Sequence, residues 1–590
     1  MGLGHAAAAF GPARGMTAEV FMDVVRLPAH RRAAFGFLCA LFIGIGCVPL
    51  PRVFAGAPGR APDVPLAAAS KDDEDADAGR LDVEGRSGRA AARDGIASRT
   101  KGIGYAKRSK ERKKGKTEKK EGRASATRYL IVGGGTSPFD TQVSIEEHIR
   151  RAAGIVEAQG RRSRAIVLFG PGEGRTPAVK LAEHPGHEDD LADLLARILE
   201  FDRDRGMTWR PTEIPDLDGP STKEKLRALM TAPGESGRTL LYLAGHGFRS
   251  RRRGAVSVGL WDRARISPLD LSRWLDKLGD NYQFVAIMTQ CYGGAFGRIL
   301  FEHADEGAAL VGADRCAFFA APPDFVASGC TPEAGRRHPD DYSTWFLGAI
   351  EGRRSDGGPL PSDPDLDRDG RVSLDEAHGF ARLYDGTLDV PTSSSEYVIR
   401  ALAERFEPLE GVDLGLPYGE LVGRARPVER RVIEGLAERL GVRGDSAAPL
   451  EARYHADRLW AERERLEDRL DEVEERWDES RQAIEEALLD RWPWLKNPLH
   501  PHFGRVLEAD GEAIADFIRT HEAYRDLESA SGEAGDLRAR IRALERAWAP
   551  WERLARAMET IVLEARVRAR GSPDEIRRLD AILACEGGTW

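Results

Sequence analysis

Between positions 128 and 321 the chain carries five short apolar runs without polar alternation, each ending in glycine or another turn former. Runs of that kind read as strands buried on both faces, as in a parallel sheet. They fall at 128–132, 164–170, 239–244, 283–288 and 316–321. Helical spacing fills the intervals. One helix is signalled by Ser144 with Glu147 three residues on, a capping-box spacing. Others are expected near 189–204, 222–230 and 268–278. Strands alternating with helices predict an α/β fold with a mainly parallel sheet flanked by helices.

After about Pro427 the composition shifts to Glu, Arg, Leu and Ala. Leu459, Leu466 and Val473, with Leu470, Trp477 and Ile484, fall on two interleaved seven-residue rows, the spacing of a short coiled coil or helical hairpin. Arg463 and Ser480 interrupt the rows. Further helices are expected at 512–527 and 537–570, and Trp492-Pro493-Trp494 marks a break. The stretch 427–590 therefore reads as an all-α accessory domain. It either closes on itself as a bundle or offers an arm for a protein partner or self-association.

The first 60 residues hold Arg31 and Arg32, an apolar stretch from Ala33 to Leu50, and small residues at alternate positions around Ala55 and Ala57. This is the layout of an export signal, although some 18 apolar residues could also stay as a membrane tether. Cys47 lacks the large aliphatic residue that a lipoprotein box carries three positions earlier. Residues 61–127 contain almost no large apolar side chains, with an acidic cluster at 71–75 and a basic tract at 107–123. Such a segment cannot bury enough surface to fold and reads as a charged linker. The 590 residues carry a net charge of −9, which gives no case for nucleic acid as a partner. The residues after 60 hold four cysteines, too few for a disulfide scaffold of this size. Cys316 and Cys330 are either a pair or separate buried thiols.

Chemistry concentrates where two of the strands end. The run 239–244 leads into Gly245-His246-Gly247, and the run 283–288 leads through Thr289 into Gln290-Cys291-Tyr292. If the two strands are parallel neighbours, both turns emerge on the carboxyl edge, where open α/β sheets place their ligands. An imidazole can take the proton of a thiol and make it a nucleophile. The glycines around His246 permit tight turns, and Gly293-Gly294 are expected to leave backbone N–H groups facing an oxyanion. The glycine triplet 133–135 lacks the spacing of a nucleotide-binding loop.

The order Ala244-Gly245-His246-Gly247, then Gln290-Cys291-Tyr292-Gly293-Gly294, then Ser328-Gly329-Cys330, resembles the caspase-like cysteine peptidases, nearest the legumain-like branch in its bacterial form. The resemblance spans about 128–397 and implies a peptidase domain over 128–426. It implies His246 as general acid/base, Cys291 as nucleophile, and the N–H groups of Gly247 and Cys291 as oxyanion donors. Thr289, Ser328 and Gly329 would border the pocket for the residue before the scissile bond. Legumain carries an acidic residue where this chain has Thr289, so its asparagine preference does not transfer. No residue after the first strand matches the family's third catalytic position. A protein or peptide substrate follows from this reading, cleaved through a thioester acyl-enzyme. A non-catalytic adaptor and a transamidase are the alternatives.

Residues 365–376 place Asp365, Asp367 and Asp369 at alternate positions, then Gly370, Arg371, Ser373 and Glu376. That is the EF-hand ligand order, with Arg371 contributing its carbonyl and Ser373 binding directly or through water, and it points to calcium. Pro364 argues against a full entering helix. His184, His187 and Glu188 surround a Pro-Gly turn at a spacing that fits no transition-metal site.

Overall fold

The computed structural model describes residues 127–590 except 183–190, 201–206, 233–236, 251–254, 280–281, 313, 329–339, 443–447 and 498. The export signal, the linker up to 126, the His184–Glu188 loop, Gly329 and Cys330 lie outside the described residues.

Strand β1 (Thr127–Gly133) leads through a 3-10 turn into α1 (Val143–Ala158) and then β2 (Ala165–Phe169). An insertion follows, in which β3 (Val179–Ala182) and β4 (Met207–Arg210) form an antiparallel ribbon with helix α2 (Leu191–Leu199) between them. Helix α3 (Lys223–Thr231) returns the chain to β5 (Arg238–Ala244). Three short strands, β6 (Gly247–Arg249), β7 (Val256–Leu260) and β8 (Ala264–Ile266), make an antiparallel meander before α4 (Pro268–Leu275). Then come β9 (Gln283–Met288), a 3-10 stretch over Gly293–Leu300, β10 (Arg315–Phe319), α5 (Tyr342–Glu351), α6 (Leu374–Tyr384), β11 (Thr392–Ser393) and α7 (Ser394–Ala403). The remaining elements are helices: α8 (Tyr418–Arg424), α9 (Pro427–Leu440), α10 (Ala448–Arg491), α11 (Phe503–Thr520), α12 (Tyr524–Arg570) and α13 (Pro573–Glu586).

Six strands form the main sheet in the order β11-β10-β9-β5-β1-β2. All neighbours are parallel except β10 with β11. The five apolar runs are its five parallel strands, and their interiors are buried. β5 and β9 are direct neighbours, with Leu243 opposite Met288. The turns that follow them therefore leave the same edge side by side.

Three local expectations are corrected. Ser144 does not cap α1: it lies buried inside the helix, and Gln142 is the N-cap, its carbonyl accepting from the N–H groups of Ile145 and Glu146 at 3.1 and 3.4 Å. The helix starts there because Gln142 is still extended and bridges to Lys180 of β3. The expected helices at 512–527 and 537–570 are instead α11 and a 47-residue α12 that stays continuous through the Ser- and Gly-containing stretch 529–535. There Ala530 and Ala534 pack against Leu466 and Val473 of α10, and packing outweighs weak helix propensity. Finally, Cys316 pairs with Cys585 on α13 and not with Cys330. β10 carries Cys316 into direct packing with that C-terminal helix.

Helices α10 and α12 form an antiparallel hairpin whose seam holds Leu466, Leu470, Val473 and Trp477 against Ala530, Leu537, Ile541 and Leu544. The seven-residue rows thus close within the chain. One apolar core runs from Tyr129 through the sheet to Met558, Val567, Leu579 and the terminal Trp590. Among the described residues no helix is long and apolar enough to cross a membrane.

Candidate active site

The carboxyl ends of β5 and β9 put His246 and Cys291 on adjacent turns in contact with one another. Gly247 lies so close to the Cys291 backbone that a Cβ on it would sit 1.8 Å from the Cys291 carbonyl oxygen. Only glycine fits there. Tyr292, immediately after the cysteine, takes the left-handed conformation at φ +59° and donates its N–H to the Phe325 carbonyl at 2.8 Å. A non-glycine residue held that way costs about 1–2 kcal/mol and occurs where the surroundings impose it, often at functional turns.

His246 is fixed from the β1 side. Its Nε2 lies 2.8 Å from the Asp140 carbonyl oxygen and 2.7 Å from Gln142 Oε1. A backbone carbonyl only accepts, so Nε2 carries the hydrogen and Nδ1 keeps the lone pair of a base. The Asp140 carboxylate braces this turn by accepting from the N–H and hydroxyl groups of Thr136 and Ser137 at 2.7–3.0 Å. Burial would raise its pKa, but these bonds outweigh that and hold it below the usual carboxylate range.

Cys291 is partly buried. Its Sγ accepts from the Ala327 N–H at 3.2 Å and lies 3.5 Å from the Ala327 carbonyl. Burial pushes the thiol pKa up, the Asp389 carboxyl adds to the rise, and the Ala327 N–H opposes it. That direction favours the thiol over the thiolate.

The other site residues fall as follows. Thr289 is buried at the end of β9, with its N–H and hydroxyl both directed to the Leu243 carbonyl at 3.0 and 3.4 Å. Ser328 donates its N–H to Asp389 Oδ1 at 2.6 Å. Asp389 is itself buried, with a pKa raised well above the usual range by burial and by Asp385 and Asp341. The expected role of Gly293 and Gly294 is corrected: Gly293 donates to the Gln290 carbonyl at 3.2 Å and Gly294 to the Ala321 carbonyl at 2.8 Å, so both N–H groups hold the turn together. Gly247, the first residue of β6, lies against the Cys291 backbone.

Gln142, the Asp140 carbonyl, Ala327 and Asp389 were not singled out in the sequence. Gln142 carries no motif. The signal that could have found it is positional: it is the residue that opens the helix after β1, the strand beside β5 on the same edge.

A second cluster lies on the loop before α6. Ligand oxygens of Asp365, Asp367, Asp369 and Glu376 all lie within 4.8 Å of one another, an acidic group that could hold a metal ion. Gly370 at φ +88° makes the sharp turn. Glu376 is 1% exposed, accepts the Asp367 N–H at 3.0 Å and the Ser373 N–H at 2.8 Å, and closes a capping box with Ser373 on α6. The Arg371 guanidinium reaches only the Asp369 carboxylate. Comparison with family models finds no match, and comparison with curated protein sequences finds none either.

Proposed function

We propose that the protein is a cysteine endopeptidase of the exported class, acting through His246 and Cys291. The observation that supports this most is the joint geometry at one sheet edge: the Gly247 backbone against Cys291, with His246 Nε2 held by Asp140 and Gln142. In this reading His246 Nδ1 accepts the proton of the Cys291 thiol as sulfur attacks the substrate carbonyl. The oxyanion is met by the N–H groups of Gly247 and Cys291. The proton passes from His246 to the leaving amine, and water, activated by the same imidazole, hydrolyses the thioester and regenerates the thiol. Thr289 and Ser328, beside Gly329, border the pocket for the residue before the scissile bond.

The acidic loop is read as a calcium site in which Asp365, Asp367, Asp369 and Glu376 supply carboxylates, Arg371 its carbonyl and Ser373 its hydroxyl. Oxygen-only ligands and a buried glutamate at the twelfth position suit a hard cation. The disulfide between Cys316 and Cys585 fits an oxidising compartment such as the cell envelope or exterior.

A peptide library cleaved by the full chain, with Cys291→Ala as control, tests the peptidase reading. Cleavage is expected with wild type alone, together with labelling of Cys291 by acyl-directed epoxide or fluoromethylketone probes. Cleavage products of unchanged pattern from Cys291→Ala would refute it.

A further inference from the structure

We infer that the α10/α12 hairpin is a strap across the catalytic edge, so that the site takes extended, unfolded polypeptide and excludes folded domains. This rests on the peptidase reading and names its substrate class. The hairpin is fastened on both sides of the dyad. On the cysteine side, the loop after β10 carries Phe325, whose ring stacks on Trp548 of α12 at 5.4 Å and meets Trp460 of α10 edge-on at 5.7 Å. That same loop touches the thiol through Ala327. On the histidine side, the β3/β4 ribbon starts against the turn that holds His246, with Lys180 N–H donating to the Thr141 carbonyl at 2.8 Å. Its helix α2 buries Leu194, Leu195, Ile198 and Leu199 against Ile484 and Leu488 of α10 and Ile514 and Ile518 of α11. Arg481 of α10 also donates to the Ile198 carbonyl at 3.0 Å.

The sheet order places these anchors apart. From β10 through β9 and β5 to β1 is three strand intervals, about 14 Å at 4.8 Å each. From Trp460 to Arg481 the helix rises about 32 Å. A rod tied on both sides of β9 and β5 crosses the edge at the two turns that carry His246 and Cys291. Between its anchors the hairpin's apolar seam contains no residue from outside α10 and α12, and its ion pairs Arg463–Glu545, Arg469–Glu533 and Arg538–Glu474 join the two helices to each other. The span is therefore self-supporting. An extended segment can lie along the edge beneath it, whereas a small folded domain, about 30 Å across, cannot.

The test measures access to Cys291 in the full chain, read at that residue by peptide mass spectrometry. N-ethylmaleimide is compared with a maleimide carried on a short linker by a small folded domain, each rate normalised to free glutathione. The domain-borne reagent is expected to react at least about tenfold more slowly. Ile198→Asp, and the milder Arg481→Glu, loosen the α2 anchor and should erase most of that difference while leaving the N-ethylmaleimide rate within about twofold. Equal wild-type rates with the two reagents, or discrimination untouched in both variants, would overturn the strap. Failure of the peptidase reading shows separately, as absent peptide cleavage with the shielding intact.

Discussion

Two acceptors take the Nε2 hydrogen of His246, which leaves the lone pair on Nδ1. Of these, Gln142 can be removed without breaking the backbone. In the proposed reaction the imidazole takes the thiol proton and its bond to Gln142 becomes charge-assisted, and such bonds contribute about 1.5–3 kcal/mol. Gln142→Ala is therefore expected to lower kcat by about 10- to 100-fold with little change in KM. Gln142→Glu, which keeps an acceptor at the same place, should retain most of the rate. A loss of folded protein alone would lower kcat alike in both variants, so equal losses in Gln142→Ala and Gln142→Glu would sink the positioning role. His246 and Cys291 were legible in the sequence because each sits in a glycine-flanked turn after an apolar run. Gln142 was not, since a residue that acts only through where its helix begins leaves no spacing to read.

At the scale of elements, the parallel strands were legible because burial on both faces forces unbroken apolar runs, and the acidic cluster because its carboxylates fall within twelve consecutive positions. The β3/β4 ribbon and the meander β6–β8 were not, because strands of three to five residues carry too few alternations to stand out. The continuity of α12 was hidden for a different reason: Ala530 and Ala534 are held helical by side chains some sixty positions away on α10. The acidic loop adds a prediction. Glu376 serves both the carboxylate cluster and the cap of α6, so calcium and helix stability should be linked. With calcium at about tenfold to a hundredfold its dissociation constant, binding adds about 1.4–2.7 kcal/mol, and a chelator should lower Tm correspondingly. Glu376→Ala should lower Tm and abolish the chelator shift. Ser373→Gly, which loses the cap but keeps all four carboxylates, should lower Tm and retain most of that shift. An equal chelator shift in wild type and Glu376→Ala would exclude this loop as the site.

Across the described residues, α13 and the segment after it fasten the sheet. Cys585 on α13 bonds Cys316 in the sheet across 269 residues, and a loop of that length makes the cross-link worth about 2–5 kcal/mol. Beside it, Glu586 accepts from Ser394 Oγ and from the Ser395 N–H, both at 2.7 Å, and Ser394 Oγ in turn accepts the Ala317 N–H of β10 at 2.9 Å. Trp590 packs against Tyr129 and Tyr242, the Gly588 carbonyl accepts the Leu374 N–H, and the helix after the acidic loop is thereby tied to the same latch. None of this was legible, because a pairing between distant cysteines has no local signature. Burial, helped by the charge of Asp375 and opposed by the two serine bonds, pushes the Glu586 carboxyl up to about 7. The unfolded chain releases that proton near 4.3, so the fold binds more protons across the interval. Its contribution is complete below about pH 4 and is lost as pH rises through 7. Two results are expected from thermal melts. Reduction of the disulfide should lower Tm at every pH. Glu586→Gln, which keeps an acceptor but cannot ionise, should remove part of the decline in Tm between pH 5 and 8 while leaving the effect of reduction in place. A decline of the same slope in Glu586→Gln would show that this carboxyl does not carry it, and an unchanged Tm on reduction would show that packing alone holds α13 on the sheet.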